Sequence, residues 1–263
     1  MRKNIPAIML LLSSFNCLAQ VDLGLSYMLG VPLQTMAKHI QPAHQAVFSG
    51  NFRLPVKSHP QFWAGFELGL GNYANKTIEQ TFKFGDGTTT LTDVRYTSNL
   101  TYANAVFRYD IPFKGRVVPY VKLTGGGTTF FTSIFIEDPK NPDGCEALDK
   151  DLALKDFAMT YSYGGGFRIN VSRKKDSHHS YLLDFGVGNT RGGTIDYLNV
   201  KDLGELDHSN MGGTSDGKPL ITKFININTQ NIHEHQLAEV FSSPIRLLQI
   251  NLGLVILFNS TGK

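Results

Sequence analysis

Seven charged residues recur in segments of this chain that otherwise alternate between apolar and polar side chains. They share one phase of that alternation and comprise three acids and four bases: Asp22, Arg53, Glu67, Arg108, Lys122, Arg168 and Asp184. An isolated charge removed from water is costly, whereas a carboxylate beside a guanidinium or ammonium group is compensated. The pattern therefore predicts that Glu67 and the aspartates neutralise the four bases in a network of ion pairs on one face of a sheet.

Other residue patterns that could support chemistry are weak. The eight histidines are scattered, and the pair His233 and His235 lacks a third ligand at a recognisable metal-site spacing. The segments "FGDGTTT" and "GGTSDGKP" indicate turns, because no strand–Gly–Lys–helix context surrounds them. No Ser–His–acid set can be assembled. We therefore expect no catalytic residues, no metal and no cofactor.

The N-terminus has the features of a secretory signal. Arg2 and Lys3 precede a short apolar run at 8–12, and small residues follow up to Ala19. We expect a signal peptide at 1–19, cleaved near Ala19, and one barrel domain at 20–263. The alternatives are a buried N-terminal helix and a lipoprotein acylated at Cys17.

Composition narrows the class of protein further. The net charge of +3 is too small to indicate nucleic-acid binding. After cleavage Cys145 is the only cysteine, so no intramolecular disulfide can form. No other segment is long and apolar enough for a transmembrane helix, so strands would have to carry any membrane crossing.

Period-two alternation predicts eight strands. They fall at 21–27, 48–54, 62–70, 103–109, 119–124, 157–169, 181–188 and 247–258. The connections between strands two and three, four and five, and six and seven are short. The other four are long, at 31–44, 74–99, 128–154 and 192–245. Within the second of these, "FKFGDGTTTLTDVRYT" should form a hairpin that extends the barrel wall. This predicts an all-β fold, an eight-stranded antiparallel up-and-down barrel.

The last strand, "LLQINLGLVILF", shows the two faces most clearly. Its apolar face holds Leu248, Ile250, Leu252, Leu254, Ile256 and Phe258. In a soluble barrel such as a lipocalin this face would point inward, and in a membrane barrel it would meet lipid. The long–short rhythm favours the membrane barrel, as do tyrosines near strand ends that could form an aromatic girdle: Tyr27, Tyr73, Tyr109, Tyr120 and Tyr181.

Four segments carry a resemblance to a known family. "VVPYVKLTGGG", "YSYGGGFRINV", "YLLDFGVG" and the last strand are similar to those of the small OmpA/OmpX-like outer-membrane barrels of Gram-negative bacteria. The resemblance implies a transmembrane barrel with short periplasmic turns, four long extracellular loops, contact with outer-membrane lipid, and insertion by the barrel assembly machinery. The chain departs from the pattern by the trailing "NSTGK" and by having no peptidoglycan-binding domain, which puts cell-wall anchoring in doubt.

These features predict a non-enzymatic outer-membrane barrel that presents its loops for structural, adhesive or assembly interactions, with a protein partner possible at 192–245. Eight strands enclose only enough space for side chains, which favours a closed lumen. The alternatives are an accessory barrel of a secretion or surface-assembly complex, a small gated channel, and a lipid-modifying enzyme.

Overall fold

The computed structural model describes residues 20–56, 61–83, 89–137, 147–172, 179–203, 217–225 and 232–258. These residues form nine strands and one short helix: β1 Val21–Pro32, α1 Met36–His39, β2 Ala43–Arg53, β3 Phe62–Lys83, β4 Thr89–Asp110, β5 Val117–Glu137, β6 Ala147–Asn170, β7 His179–Leu198, β8 Lys218–Ile225 and β9 Ile232–Phe258. No described helix is both long and apolar enough to cross a membrane. The predicted signal peptide lies outside the described residues.

The strands form one closed antiparallel barrel. The sheet order is β1-β2-β3-β4-β5-β6-β7-β9-β8, and β1 also pairs with β9 from Val21↔Phe258 to Pro32↔Leu247. Eight strands, β1 to β7 and β9, therefore complete the ring, and the predicted eight-stranded barrel is confirmed. β8 is an addition that pairs with the upper part of β9.

Most of the predicted long loops are strand. β3 and β4 stay paired as far as Lys83↔Thr89, which confirms the predicted hairpin. β5 and β6 pair up to Glu137↔Ala147, and β9 begins at Ile232 rather than near 247. The connection predicted at 74–99 therefore holds the predicted hairpin, whereas those predicted at 128–154 and 192–245 are strand over large parts of their length.

The half of the barrel nearer the short turns, here called the lower barrel, is apolar outside and charged inside. Its outward side chains include one exposed apolar residue from each strand: Leu25, Phe48, Leu68, Phe107, Leu123, Met159, Val187 and Leu254. We call this ring of exposed apolar side chains the belt. Asp22, Glu67, Arg108, Arg168 and Asp184 face inward and are buried. Strand parity places the two sets on opposite faces, as alternation predicts.

The other half, the upper barrel, reverses this arrangement. On β4 the even-numbered residues face inward along the whole strand, from Arg108 at the lower end to Tyr96 and Val94 at the upper end. The apolar residues, however, change from the odd positions, such as Phe107, to the even positions near Tyr102. The polarity of the two faces therefore switches while the strand and its pairing continue.

The inward apolar residues of the upper barrel form a hydrophobic core. We call it the cap core; its members include Met28, Ile40, Tyr73, Tyr96, Leu100, Phe130, Ile134, Ile195, Tyr197, Leu237, Ala238 and Ile245. Burial of apolar side chains is the main force that stabilises soluble domains. The upper barrel is thus built like a water-soluble barrel on top of one with an apolar exterior.

Two of the expected girdle tyrosines lie elsewhere. Tyr73 and Tyr120 are buried, whereas Tyr27 and Tyr181 are about half exposed on the outer wall. Tyr73 lies at a register shift between Asn72 and Ala74, and it packs in the cap core. Tyr120 shares the inward phase of Lys122, so its hydroxyl bonds in the lumen rather than at a membrane surface.

Candidate functional site

Asp22 on β1 is the centre of a lumen network. One oxygen of its carboxylate, Oδ2, accepts from Arg108 of β4 at 2.9 Å and from Arg168 of β6 at 2.8 Å. The other oxygen accepts from Nδ2 of Asn51 at 2.7 Å. β1 is a neighbour of β2 and β9 only, so both ion pairs cross the lumen rather than follow the ladder.

Two further carboxylates complete this network. Nζ of Lys122 donates to Oε1 of Glu67 at 2.7 Å. The guanidinium of Arg168 lies 3.5 Å from Oδ2 of Asp184, and the hydroxyl of Tyr120 donates to Oδ1 of the same carboxylate at 2.8 Å. Six of the seven charged residues singled out from the sequence therefore form ion pairs within one interior.

Arg53 lies near the lower end of the barrel and bonds to the neutral side chain of the residue that precedes β1. Its guanidinium donates to the side-chain oxygen of Gln20 at 2.7 Å. A carboxylate that was not predicted, Asp110, accepts from Nε of Arg108 at 2.8 Å. Asp110 has the same parity as Arg108, and that shared phase is the signal by which it could have been found.

The spacing of the cations explains why the acids come from across the lumen. Arg53, Trp63, Arg108 and Lys122 follow one another along a single rung of the ladder, so Arg108 lies directly opposite Lys122. Like charges at such positions destabilise a sheet. Asp22 on the far wall and Glu67 on β3 offset this repulsion, and the Trp63 ring lies 4.7 Å below the Arg108 guanidinium.

Little free space remains around these side chains. Two cavities in the described lumen, one beside Arg108 and Arg168 and one beside Ser162 and Gln249, each have a volume of about 20 Å³. A cavity of that size holds on the order of one water molecule. The lower lumen is thus filled by paired side chains, with no passage for a hydrated ion through these cavities.

Near the mouth of the upper barrel, described side chains also form contacts across the interior. The hydroxyl of Tyr96 on β4 donates to the carbonyl oxygen of Leu237 on β9 at 2.8 Å, and Nε2 of Gln80 donates to that hydroxyl at 3.0 Å. The ring of His39 stacks on Phe241 with centroids 3.8 Å apart. The Tyr96 hydrogen bond therefore joins β4 to β9 across the interior within the cap core, and His39 packs α1 against β9.

The last strand presents its apolar side chains on the outer wall of the barrel, as its alternation predicted. Leu248 is half-buried, whereas Ile250, Leu252, Leu254, Ile256 and Phe258 are exposed on the outside of the barrel. Asn251 and Gly253 point the opposite way, toward the lumen. The exposed face belongs to the belt.

Among the described side chains, no group of three or more His, Cys, Asp or Glu residues is placed to hold a metal ion. The side chains of His233 and His235 lie outside the described residues.

Comparisons with known proteins give similarity of fold only. Neither a protein-family model nor a curated protein matches this chain. Among solved structures, it is similar to Neisserial surface protein A, with 10% identity over 90% of this chain and 95% of that chain and a TM-score of 0.39.

Two further solved structures are similar to this chain. A major outer membrane protein from Thermus thermophilus shows 12% identity over 91% of this chain and 99% of that chain, with a TM-score of 0.40. The attachment invasion locus protein of Yersinia pestis, in complex with a heparin analogue, shows 10% identity over 91% and 97%, with a TM-score of 0.33. The eight-stranded barrel itself is established by the strand pairing of this chain.

Proposed function

We propose that this chain is a non-enzymatic integral protein of the bacterial outer membrane, which spans the bilayer with its lower barrel and exposes its upper barrel to the exterior. The observation that carries the proposal is the switch of polarity along β4, from Phe107 outward at the lower end to Tyr96 inward at the upper end. Lipid favours apolar side chains on the outside, and water favours them on the inside.

The height of the belt agrees with this placement. On β9 the outward apolar run extends from Leu248 to Phe258, and Arg246, Pro244 and Ser242 replace it above. Eleven residues at about 3.3 Å each, tilted by roughly 40°, cover about 25 Å along the barrel axis. That is the height of the apolar band of outer-membrane barrels.

The filled lumen favours a structural role over transport. The cross-lumen ion pairs of Asp22 and the cap core fill the interior, so ions have no path through the described part of the barrel. We therefore expect no channel activity. The upper barrel would instead present a rigid folded surface, on which structural or adhesive contacts are made. Insertion would depend on the barrel assembly machinery acting on β9, after cleavage of a signal peptide near Ala19.

A second candidate function is that of an accessory barrel in a secretion or surface-assembly complex. It is favoured by β8, which in the described part of the chain pairs with β9 alone. A strand with one unpaired side can accept a strand of another protein. A partner bound at this edge would contact the 192–245 segment, in which a partner contact was predicted. Mild cross-linking of cells, gentle-detergent purification and mass spectrometry would test it: a stoichiometric partner supports this candidate, and recovery alone contradicts it.

The membrane placement can be tested with cysteine labelling of intact cells. In a Cys145→Ser background, single cysteines are introduced at Thr77 on the outer upper wall, Leu68 in the belt and Lys114 in a short turn. A membrane-impermeant maleimide should label Thr77→Cys in intact cells and Lys114→Cys only after the outer membrane is permeabilised. Leu68→Cys should resist labelling until detergent is added.

Equal labelling of Leu68→Cys and Thr77→Cys in the absence of detergent would contradict the proposal. It would mean that the belt meets water, as in a soluble barrel.

A further inference from the structure

A groove on the outer wall lies where the belt meets the polar upper wall. It has a volume of about 730 Å³ and is bounded by outward side chains of β1 to β5. Pockets that bind small molecules have volumes of roughly 300–1,000 Å³. The groove is therefore large enough to hold part of a ligand, and it opens on the outside of the barrel rather than into the lumen.

Strand register explains the shape of this groove. Tyr27, Ala46, Leu70 and Thr101 lie side by side on one rung of the ladder, from β1 to β4. Ala46 is the smallest of the four and lies between two large side chains, so the wall is recessed at that point. Phe131 of β5 borders the groove at the side opposite to Tyr27.

The next rung upward adds polar groups. His44, Asn72 and Asn99 are adjacent there, and the Tyr27 hydroxyl and Nδ1 of His44 are 2.5 Å apart in a hydrogen bond. Nδ2 of Asn72 donates to the carbonyl oxygen of Ala74, to that of Ser98 and to Oδ1 of Asn99, at 3.0–3.1 Å. The amide of Asn72 thus secures the register shift of β3 at the upper border of the groove.

The residues that line the groove define the chemistry of its occupant. Their exposed surface is mostly apolar, and none of them is Lys, Arg, Asp or Glu. A phosphate or another fully charged group would find no counter-ion in this lining. An apolar chain that ends in a carbonyl or hydroxyl group would match both rungs. The chain would lie against Leu25, Ala46 and Leu70, and its polar end would lie near His44 and Asn99.

From this arrangement we infer that the groove binds one acyl chain of a lipid of the surrounding bilayer, with the carbonyl linkage of that lipid at the His44–Asn99 rung. The groove is continuous with the belt, since Leu25 and Leu70 belong to both. The inference rests on the proposed membrane placement and adds to it a specific lipid site on the β1–β5 side of the barrel.

The test is native mass spectrometry of the full barrel in detergent micelles titrated with palmitoyl-oleoyl-phosphatidylethanolamine. Loosely held lipids are removed by collisional activation. Wild-type protein should retain one lipid molecule after the others have left. Ala46→Trp fills the recess and should lower the retained fraction at least tenfold. Ala105→Trp, also outward and exposed in the belt but outside the groove, should leave it unchanged.

Thr101→Phe is a second variant that narrows the same recess, in case Ala46→Trp does not fold. Equal retention in wild type and the folded groove variants would overturn the inference, as would an equal loss in Ala105→Trp. Recovery of a folded wild-type barrel in aqueous buffer without detergent would instead overturn the membrane placement. Insertion into detergent without a retained lipid would overturn the groove inference alone.

Discussion

Asp22 and Arg168 meet across the interior of the barrel, with 2.8 Å between the carboxylate Oδ2 and the guanidinium Nη1. They lie on β1 and β6, which are not neighbours in the sheet. The same oxygen also accepts from Arg108, so one fully buried carboxylate joins three walls of the barrel.

Asp22→Asn should strongly destabilise the barrel. The change removes the negative charge that Arg108 and Arg168 contact, so both guanidinium groups stay buried without it. Removal of one partner from a buried ion pair costs about 3–5 kcal/mol. Urea titration of the refolded protein measures the free energy of unfolding. The control is Asp93→Asn, on the outer face of the upper wall opposite Glu79, where we expect a change within about 0.5 kcal/mol. Similar losses in both variants would contradict a special role for Asp22.

Planar bilayer recordings should show no steady conductance for the wild-type protein. The double variant Glu67→Ala, Lys122→Ala should also show no conductance, because the cap core still fills the barrel above the enlarged lower lumen. Steady ohmic conductance of the wild type would contradict the filled lumen. Conductance of the double variant alone would mean that the cap core does not seal the mouth.

Arginine substitutions on β3 should mark the level of the membrane surface. Leu68→Arg introduces a charge into the belt, where it should cost about 2–4 kcal/mol if the site lies near the middle of the bilayer. Thr77→Arg lies on the same strand above the register shift, and its effect should be near zero because the outer wall there meets water. The measurement is unfolding in lipid vesicles. Equal effects at both positions would place the two residues in the same environment.

Tyr96→Phe should loosen the mouth of the barrel. The change removes the donor to the Leu237 carbonyl oxygen and the acceptor for Gln80, and a buried polar group left without its partner costs about 1–3 kcal/mol. Hydrogen exchange of 78–82 and 236–240, followed by mass spectrometry, should speed up accordingly. Tyr161→Phe, exposed on the outer wall, should leave those segments unchanged.

The contact between His39 and Phe241 should weaken in mild acid. Burial lowers the pKa of His39, although Asp202 and Glu239 act to raise it, and Lys38 adds to the lowering. The unfolded state therefore binds a proton more readily than the folded state, so stability is full above the ordinary value near 6.5 and falls as the pH drops below it. Hydrogen exchange of 36–40 at pH 7.5 and 5.5 measures this. His39→Phe should remove the pH difference, and a persistent difference in that variant would assign it to another group.

Strand parity could be predicted from the sequence, but the extent of the strands could not. Leu254 and Asn251 were placed on the correct faces because each alternates with neighbours of the opposite kind. The upper half of β9 was interpreted as a loop because its apolar residues follow the other phase, as Ile245 shows, whereas the upper half of β4 was predicted as part of a hairpin. A search for apolar residues at every second position stops where the apolar residues move to the other face of the strand, although the hydrogen-bonded ladder continues.

The lumen contacts were predictable as a set and not as pairs. Shared parity gathers Glu67, Lys122 and Arg168 inside, but it does not determine which acid meets which base. The pairing depends on barrel tilt and on contacts across the lumen, which no spacing along the chain encodes. For the same reason the hydrogen bond from the Arg53 guanidinium to Gln20 could not be predicted.

Under the proposed membrane placement, the switch of polarity along β4 would also determine how deep the barrel sits in the bilayer. Successive outward positions on a tilted strand are two residues apart and differ in height by about 5 Å. Exchange of the residue types at Thr101 and Tyr102 would thus move the local water boundary without altering any backbone pairing. Vertical position is in this sense an adjustable property of the sequence, independent of the fold, and homologues in thicker or thinner membranes could differ in the residue at which the phase changes.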